Sequence, residues 1–135
     1  MELKDREGNE QYRAPRANFT IRDFDIVGRI GDGSFSTVVL CKHRSTGAVN
    51  AVKIVNKHLI MRNKMVDYVR NERAILDTLD HDGIVKLCFT FQDPDSLYFG
   101  MEFCPGGDLF EQINKRGKLD PHDAVFYAAE VVEIL

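Results

Sequence analysis

The chain has 135 residues, 44% of them hydrophobic, and its 18 basic and 21 acidic side chains leave a net charge of −3. That is enough apolar material for one modest core, and one domain is the expectation at this length. The near-balanced charge offers no broad basic field, so nucleic acid is not expected as a partner.

The three cysteines, Cys41, Cys88 and Cys104, are widely spaced and form no C-x-x-C pair. This usage fits a reducing compartment better than a disulfide framework, and it suggests no zinc site. Met1–Arg16 is polar and charged without the apolar core of a secretory signal, and no later run is long enough to span a bilayer. A cytoplasmic or nuclear protein is expected. The triplet Asn18-Phe19-Thr20 matches an N-glycosylation acceptor, a pattern that arises by chance and is discounted here.

Along the chain, residues 1–17 lack apolar periodicity and contain Gly8 and Pro15, so they read as a flexible arm, with Phe19 and Phe24 anchoring its end. Three short β-rich runs follow at 24–31, 37–43 and 48–55, punctuated by Gly31-Asp32-Gly33-Ser34 and Ser45-Thr46-Gly47, and together they predict an antiparallel meander. Tyr68, Val69, Ile75, Leu76 and Leu79 recur at helical spacing and predict one long helix over 65–79. Asp80-His81-Asp82-Gly83 ends it. Strands at 84–92 and 96–104, joined by Asp93-Pro94-Asp95, bring the sheet to five. After Pro105-Gly106-Gly107 a short helix is expected at about 108–115. A last helix then starts with Asp120 as N-cap, Pro121 in the first turn and Asp123 near the positive end. Ala124, Val125, Phe126, Ala128, Ala129, Val131, Val132 and Leu135 make it apolar around most of its circumference, so it should be buried on most sides.

Two features carry chemistry. Ile30-Gly31-Asp32-Gly33-Ser34-Phe35-Ser36-Thr37-Val38 is a glycine-bearing hairpin whose backbone can approach an anion without a Cβ in the way. Lys53 follows in Ala51-Val52-Lys53-Ile54-Val55, where a charge among apolar neighbours is costly unless it meets a partner. A compact ammonium suits that role and can also reach a phosphate. A lone Gly-x-Gly is usually only a tight turn; the hairpin followed by the lysine strand reads as half of a nucleotide site.

The order hairpin, Ala51-Val52-Lys53, helix with Asn71-Glu72-Arg73, two strands, then Met101-Glu102-Phe103-Cys104-Pro105-Gly106-Gly107-Asp108 resembles the protein kinase family. Leu87-Cys88-Phe89-Thr90-Phe91-Gln92-Asp93 and Gly106-Gly107-Asp108-Leu109-Phe110 are similar to the AGC serine/threonine group, in its phosphoinositide-dependent branch of plant-like form. The resemblance covers about 19–135. It implies an α+β fold: an N-lobe of one five-stranded antiparallel sheet and one main helix over about 18–103, a hinge over about 102–107, and the first helices of a C-lobe over 108–135.

The resemblance also implies roles. Gly31 and Gly33 match the first two loop glycines, and Phe35 would cap the loop over the phosphates. Ser36 stands at the third glycine, where its Cβ and hydroxyl would lower nucleotide affinity somewhat. Lys53 would contact the phosphates and be held by Glu72. Val38 and Ala51 would sandwich adenine, the backbone of Glu102 and Cys104 would bond its edge, Met101 would gate the pocket behind it, and Asp108 would meet the ribose. Val38, Ala51 and Met101 read equally well as core. Leu76 and Leu87 match a packing column between helix and sheet. Leu59, Ile60, Val69 and Arg73 would line a groove that accepts a hydrophobic peptide from protein substrates.

ATP and magnesium are the implied cofactors. The chain itself offers no metal ligand, because no H-R-D, D-F-G or A-P-E occurs in it. The expectation is about half of the domain of an ATP-dependent serine/threonine kinase, inactive by itself, with membrane recruitment left to any lipid-binding domain outside it. The alternative is a truncated, catalytically inactive module that binds nucleotide or partners.

Overall fold

The computed structural model describes residues 18–135; the expected flexible arm at 1–17 lies outside them. The elements are β1 (Phe24–Asp32), β2 (Ser36–His43), β3 (Val49–Asn56), α1 (Lys57–Arg62), α2 (Val66–Thr78), β4 (Leu87–Gln92), β5 (Ser96–Met101), α3 (Leu109–Arg116) and α4 (Pro121–Ile134). The strands form one five-stranded antiparallel sheet in the order β1-β2-β3-β5-β4. This is the expected α+β architecture.

The chain divides into two compact units. One holds the sheet, α1 and α2; the other holds His81–Val85 and Cys104–Leu135. In the sheet unit the alternation of side chains builds two separate cores. On one face Phe24, Val39, Cys41, Val52, Phe89, Phe91 and Tyr98 pack together, with Phe19 laid against them. The Phe24 and Phe91 rings lie 5.7 Å apart and nearly parallel, and Phe19 meets Phe24 edge-on at 5.6 Å. On the other face Val55, Leu87 and Phe99 pack with Ile60 of α1 and Val69 and Leu76 of α2.

Leu87 belongs to this helix-facing core because of an irregularity in β4. Leu87 pairs with Met101 and Phe89 with Gly100, so the register slips at Cys88. Strict alternation would put Leu87 and Phe89 on one face; the bulge turns Leu87, fully buried, to the opposite one. Leu76 and Leu87, expected to link helix and sheet, meet in this cluster.

Helix α1 is an element the sequence reading did not foresee. Six residues are too few to show a period, but Asn56 caps it by accepting a hydrogen bond from the Leu59 N–H at 3.1 Å. Its end is a Schellman turn: Met65 N–H donates to the Ile60 carbonyl at 2.8 Å and Lys64 N–H to the Met61 carbonyl at 3.3 Å. This requires Lys64 to take a left-handed φ of 56°.

Several expected bounds shift. β4 starts at Leu87 rather than 84, because Ile84 N–H is taken by the His81 carbonyl in a turn. β5 stops at Met101 rather than 104, where Gly107 N–H turns back to the Cys104 carbonyl.

In the second unit Asp120 caps α4 as expected, its carboxylate accepting from Asp123 N–H at 2.8 Å. The expected burial of α4 is not found. The helix has no buried residue, and Val125 and Val132 are about 70% exposed. One eight-residue helix and a five-residue segment are all this unit offers beside α4, too little to cover a helix apolar all round.

Candidate nucleotide-binding site

The ladder register places the sequence-singled residues on one face of the sheet. Gly31 lies opposite Val38, Val38 opposite Lys53, Lys53 opposite Phe99, and Phe99 opposite Thr90, a row crossing all five strands. The neighbouring row on the same face is Gly28, Leu40, Ala51, Met101 and Leu87. Val38, Ala51, Lys53 and Met101 therefore form a contiguous patch beneath the start of the hairpin. It is the same face against which α2 packs.

That placement lets α2 supply the partner of Lys53. Val69 is buried against the sheet, and Glu72, one turn later, follows on the same side of the helix. Lys53 Nζ donates to Glu72 Oε1 at 2.8 Å, both side chains about three-quarters or two-thirds covered. An ammonium carries three donors and Glu72 Oε1 takes one, which leaves Lys53 able to bond a further oxygen ligand.

The hairpin tip is closed by Gly33 N–H donating to the Ser36 carbonyl at 2.8 Å. Asp32 accepts from Arg29 and from the Thr37 hydroxyl, and the Arg29 guanidinium holds its carboxyl below the usual range. Ser34 is exposed, and Ile30 is half exposed. A Cβ added at Gly31 would meet nothing within 4 Å, so no internal packing demands a glycine there. At Gly33 it would meet the Ser36 hydroxyl at 2.9 Å, so the serine at the third position leans on the second glycine. Phe35, expected over the phosphates, packs in this structure against the helix-facing core, and its carbonyl accepts from Asn56 N–H at 3.0 Å.

At the exit of β5, Met101 is half-buried and Glu102 exposed. The Glu102 N–H donates to the Lys86 carbonyl at 3.0 Å, so toward a ligand this residue can offer only a carbonyl. Cys104 and Asp108 belong to the second unit. There the Asp108 carboxylate caps α3, accepting from Glu111 N–H at 2.8 Å.

A cavity of about 740 Å³ opens elsewhere in the sheet unit, and neither Lys53, Glu72 nor any hairpin residue lines it. Its walls are α1, α2 and the sheet: Ile60, Met61, Val66, Val69, Leu97 and Phe99, with Lys57, Arg70 and Arg73 as cationic members. Three of the four residues expected in a docking groove are among them. The fourth, Leu59, is not, and its neighbour Met61 takes the place, because the short α1 helix presents Ile60 and Met61 to the cavity. Arg73 lies 3.6 Å from Asp77, and its Nε is buried with no hydrogen-bond partner.

Asp120, His122 and Asp123 bring three possible metal ligands together. One Asp120 oxygen caps α4 and one Asp123 oxygen bonds Arg116 at 2.8 Å, tasks that account for both carboxylates without an ion. Among the described residues no helix is long and apolar enough to cross a membrane.

A profile of the protein kinase domain matches residues 24–135. The 3-phosphoinositide-dependent protein kinase 1 of Arabidopsis thaliana is 48% identical over 124 residues, 92% of this chain and 25% of that protein. The Dictyostelium discoideum 3-phosphoinositide-dependent protein kinase B is 44% identical over 110 residues, 82% of this chain and 12% of that protein. The human 3-phosphoinositide-dependent protein kinase 1 is 43% identical over 113 residues, 84% of this chain and 20% of that protein. The chain thus spans a quarter or less of the length of these curated relatives. With the profile matching through most of its length, and the hairpin, lysine strand and glutamate helix assembled on one sheet face, the chain belongs to the protein kinase family.

Proposed function

We propose that this chain is the nucleotide-binding part of a serine/threonine protein kinase of the AGC type, which transfers the γ-phosphoryl group of ATP to protein Ser and Thr hydroxyls. The carrying observation is the Lys53–Glu72 ion pair at 2.8 Å, set in the strand row that leads to Gly31. Gly31 gives room for a phosphate to reach the backbone, Lys53 supplies its charge, and Glu72 holds that charge in place. Val38, Ala51 and Met101 supply the apolar surface for the base. The Glu102 carbonyl, an acceptor, calls for a donor on the ligand edge, which the amino group of adenine provides.

ATP supplies the transferable phosphoryl group. Magnesium has no fitting ligand set among the described residues, so the reading assigns its ligands, with H-R-D and D-F-G, to sequence outside these 135 residues. The cytoplasm suits three unpaired thiols.

The 740 Å³ groove supports a second part of the reading, a docking site for an apolar peptide segment of a protein substrate. The cationic Lys57, Arg70 and Arg73 in its wall favour a segment with an acidic group at one end. Val69 and Arg73 sit on the helix that carries Glu72, so a docked segment presses on the element that positions the ion pair.

The test is phosphate transfer by the full-length protein from γ-labelled ATP to a protein substrate, followed by phosphoamino-acid analysis. Label on Ser or Thr that disappears in Lys53→Met is the expected result; label on Tyr, or transfer unchanged in that variant, overturns the reading.

A further inference from the structure

The peptide group between Met101 and Glu102 is held at both ends. Its N–H, that of Glu102, donates to the Lys86 carbonyl at 3.0 Å, and the Glu102 carboxylate accepts from Lys86 N–H at 3.2 Å. Its carbonyl, that of Met101, accepts from Asn50 Nδ2 at 3.2 Å. Ladder pairing between β3 and β5 ends at Ala51 and Met101, and the half-buried Asn50 side chain, one step past the ladder, adds a side-chain donor to the Met101 carbonyl. With both polar groups of the plane bonded, the direction of the next carbonyl, that of Glu102, depends only on rotation within Glu102 itself.

We propose that Asn50 is a positioning residue for adenine: by fixing the Met101–Glu102 peptide plane it aims the Glu102 carbonyl at the base. This rests on the nucleotide reading above. No other side chain on β3 does this, because Ala51 and Lys53 face the patch itself and Asn50 faces away from it, reaching the peptide plane from behind. The Cys88 thiol is its neighbour on that side, and burial keeps the thiol neutral by raising its pKa, so no thiolate competes for the amide donors.

The experiment is titration calorimetry of the chain with ATP and, separately, with inorganic tripolyphosphate, for the parent, Asn50→Ala and Asn50→Asp. Loss of one such hydrogen bond predicts ATP affinity about 5- to 10-fold weaker in Asn50→Ala, with tripolyphosphate affinity unchanged. Asn50→Asp keeps the shape, removes the donor and faces an oxygen to the Met101 carbonyl, so it should lose at least as much; it carries the test if the alanine variant does not fold. Variants that bind ATP as the parent does, or that lose ATP and tripolyphosphate equally, overturn the positioning role. A parent chain that binds tripolyphosphate but not ATP overturns the nucleotide reading itself, and this inference with it.

Discussion

Lys53 on a central strand and Glu72 on the helix above it, 19 residues apart, meet at 2.8 Å. Val69, one turn before Glu72, is buried in the helix-facing core, so the apolar packing of α2 and the ion pair fix each other. Lys53→Met should keep the apolar stem in the sheet and remove the charge. The thermal midpoint should move by only a few degrees, corresponding to about 1 kcal/mol for a partly exposed pair, while ATP affinity falls at least 10-fold. Calorimetric melting and nucleotide titration of the same sample check this; a large fall in midpoint with ATP affinity intact would make the pair structural alone.

Gly31→Ala separates folding from binding. Nothing within 4 Å obstructs the new methyl group, so stability should hold or rise by about 0.5 kcal/mol through the unfolded chain. On the proposed nucleotide reading the same methyl would stand in the path of a phosphate, and affinity for ATP should fall. Denaturant unfolding and ATP titration of the variant give the two numbers.

Lys64 adopts φ 56° only because the Schellman turn after α1 needs a left-handed residue there. Lys64→Gly should raise stability by about 0.5–1 kcal/mol, the relief of that conformation exceeding the entropy a glycine adds to the unfolded chain. A urea midpoint that drops in this variant would show that the lysine side chain contributes more than its backbone costs.

Tyr98 gives the fold an alkaline limit. Burial first, and its 2.6 Å hydrogen bond to Asp93 second, push the phenol from 10 to about 12. The folded state holds the proton more tightly, so stability is intact below about pH 10 and declines by about 2–3 kcal/mol as pH rises from 10 to 12. Tyr98→Phe should remove that decline, at about 1 kcal/mol of stability near neutral pH. Asp93 responds in the opposite range. The Tyr98 hydroxyl, then the N–H groups of Asp95 and Ser96, hold its carboxyl below the usual value. Stability from this source is present above the ordinary carboxylate range and is lost on acidification, with the loss starting at higher pH in Tyr98→Phe. Denaturation midpoints across pH for both proteins test both ends.

Elements set by local chemistry were legible in the sequence. The alternating runs gave the strands to within a few residues, Asp120 gave the start of α4, and Lys53 stood out as a charge in an apolar run. Features set by pairing partners were not. The bulge at Cys88 depends on how β4 meets β5, and the capping of α3 by one Asp108 oxygen is a local task that the family resemblance does not mention. Helix α1 had one signal, Asn56 before a charged pair, too short to separate from a turn. Asn50 went unnoticed because its role lies in a backbone carbonyl 51 residues away, which no local pattern marks.

The slip at Cys88 makes the length of β4 as much a determinant of the fold as its composition. Because Cys88 is the extra residue, deleting it would leave Leu87 and Phe89 as neighbours in a regular ladder and still on opposite faces, with Leu87 kept in the place under α2 that it fills with no exposed surface. A deletion of Thr90 has no such bulge to absorb it: Phe89 and Phe91 would become neighbours, and one of them would turn out of the aromatic stack. Natural length variation in β4 should therefore be confined to the bulge, with the residue count from Phe89 to Gln92 held constant.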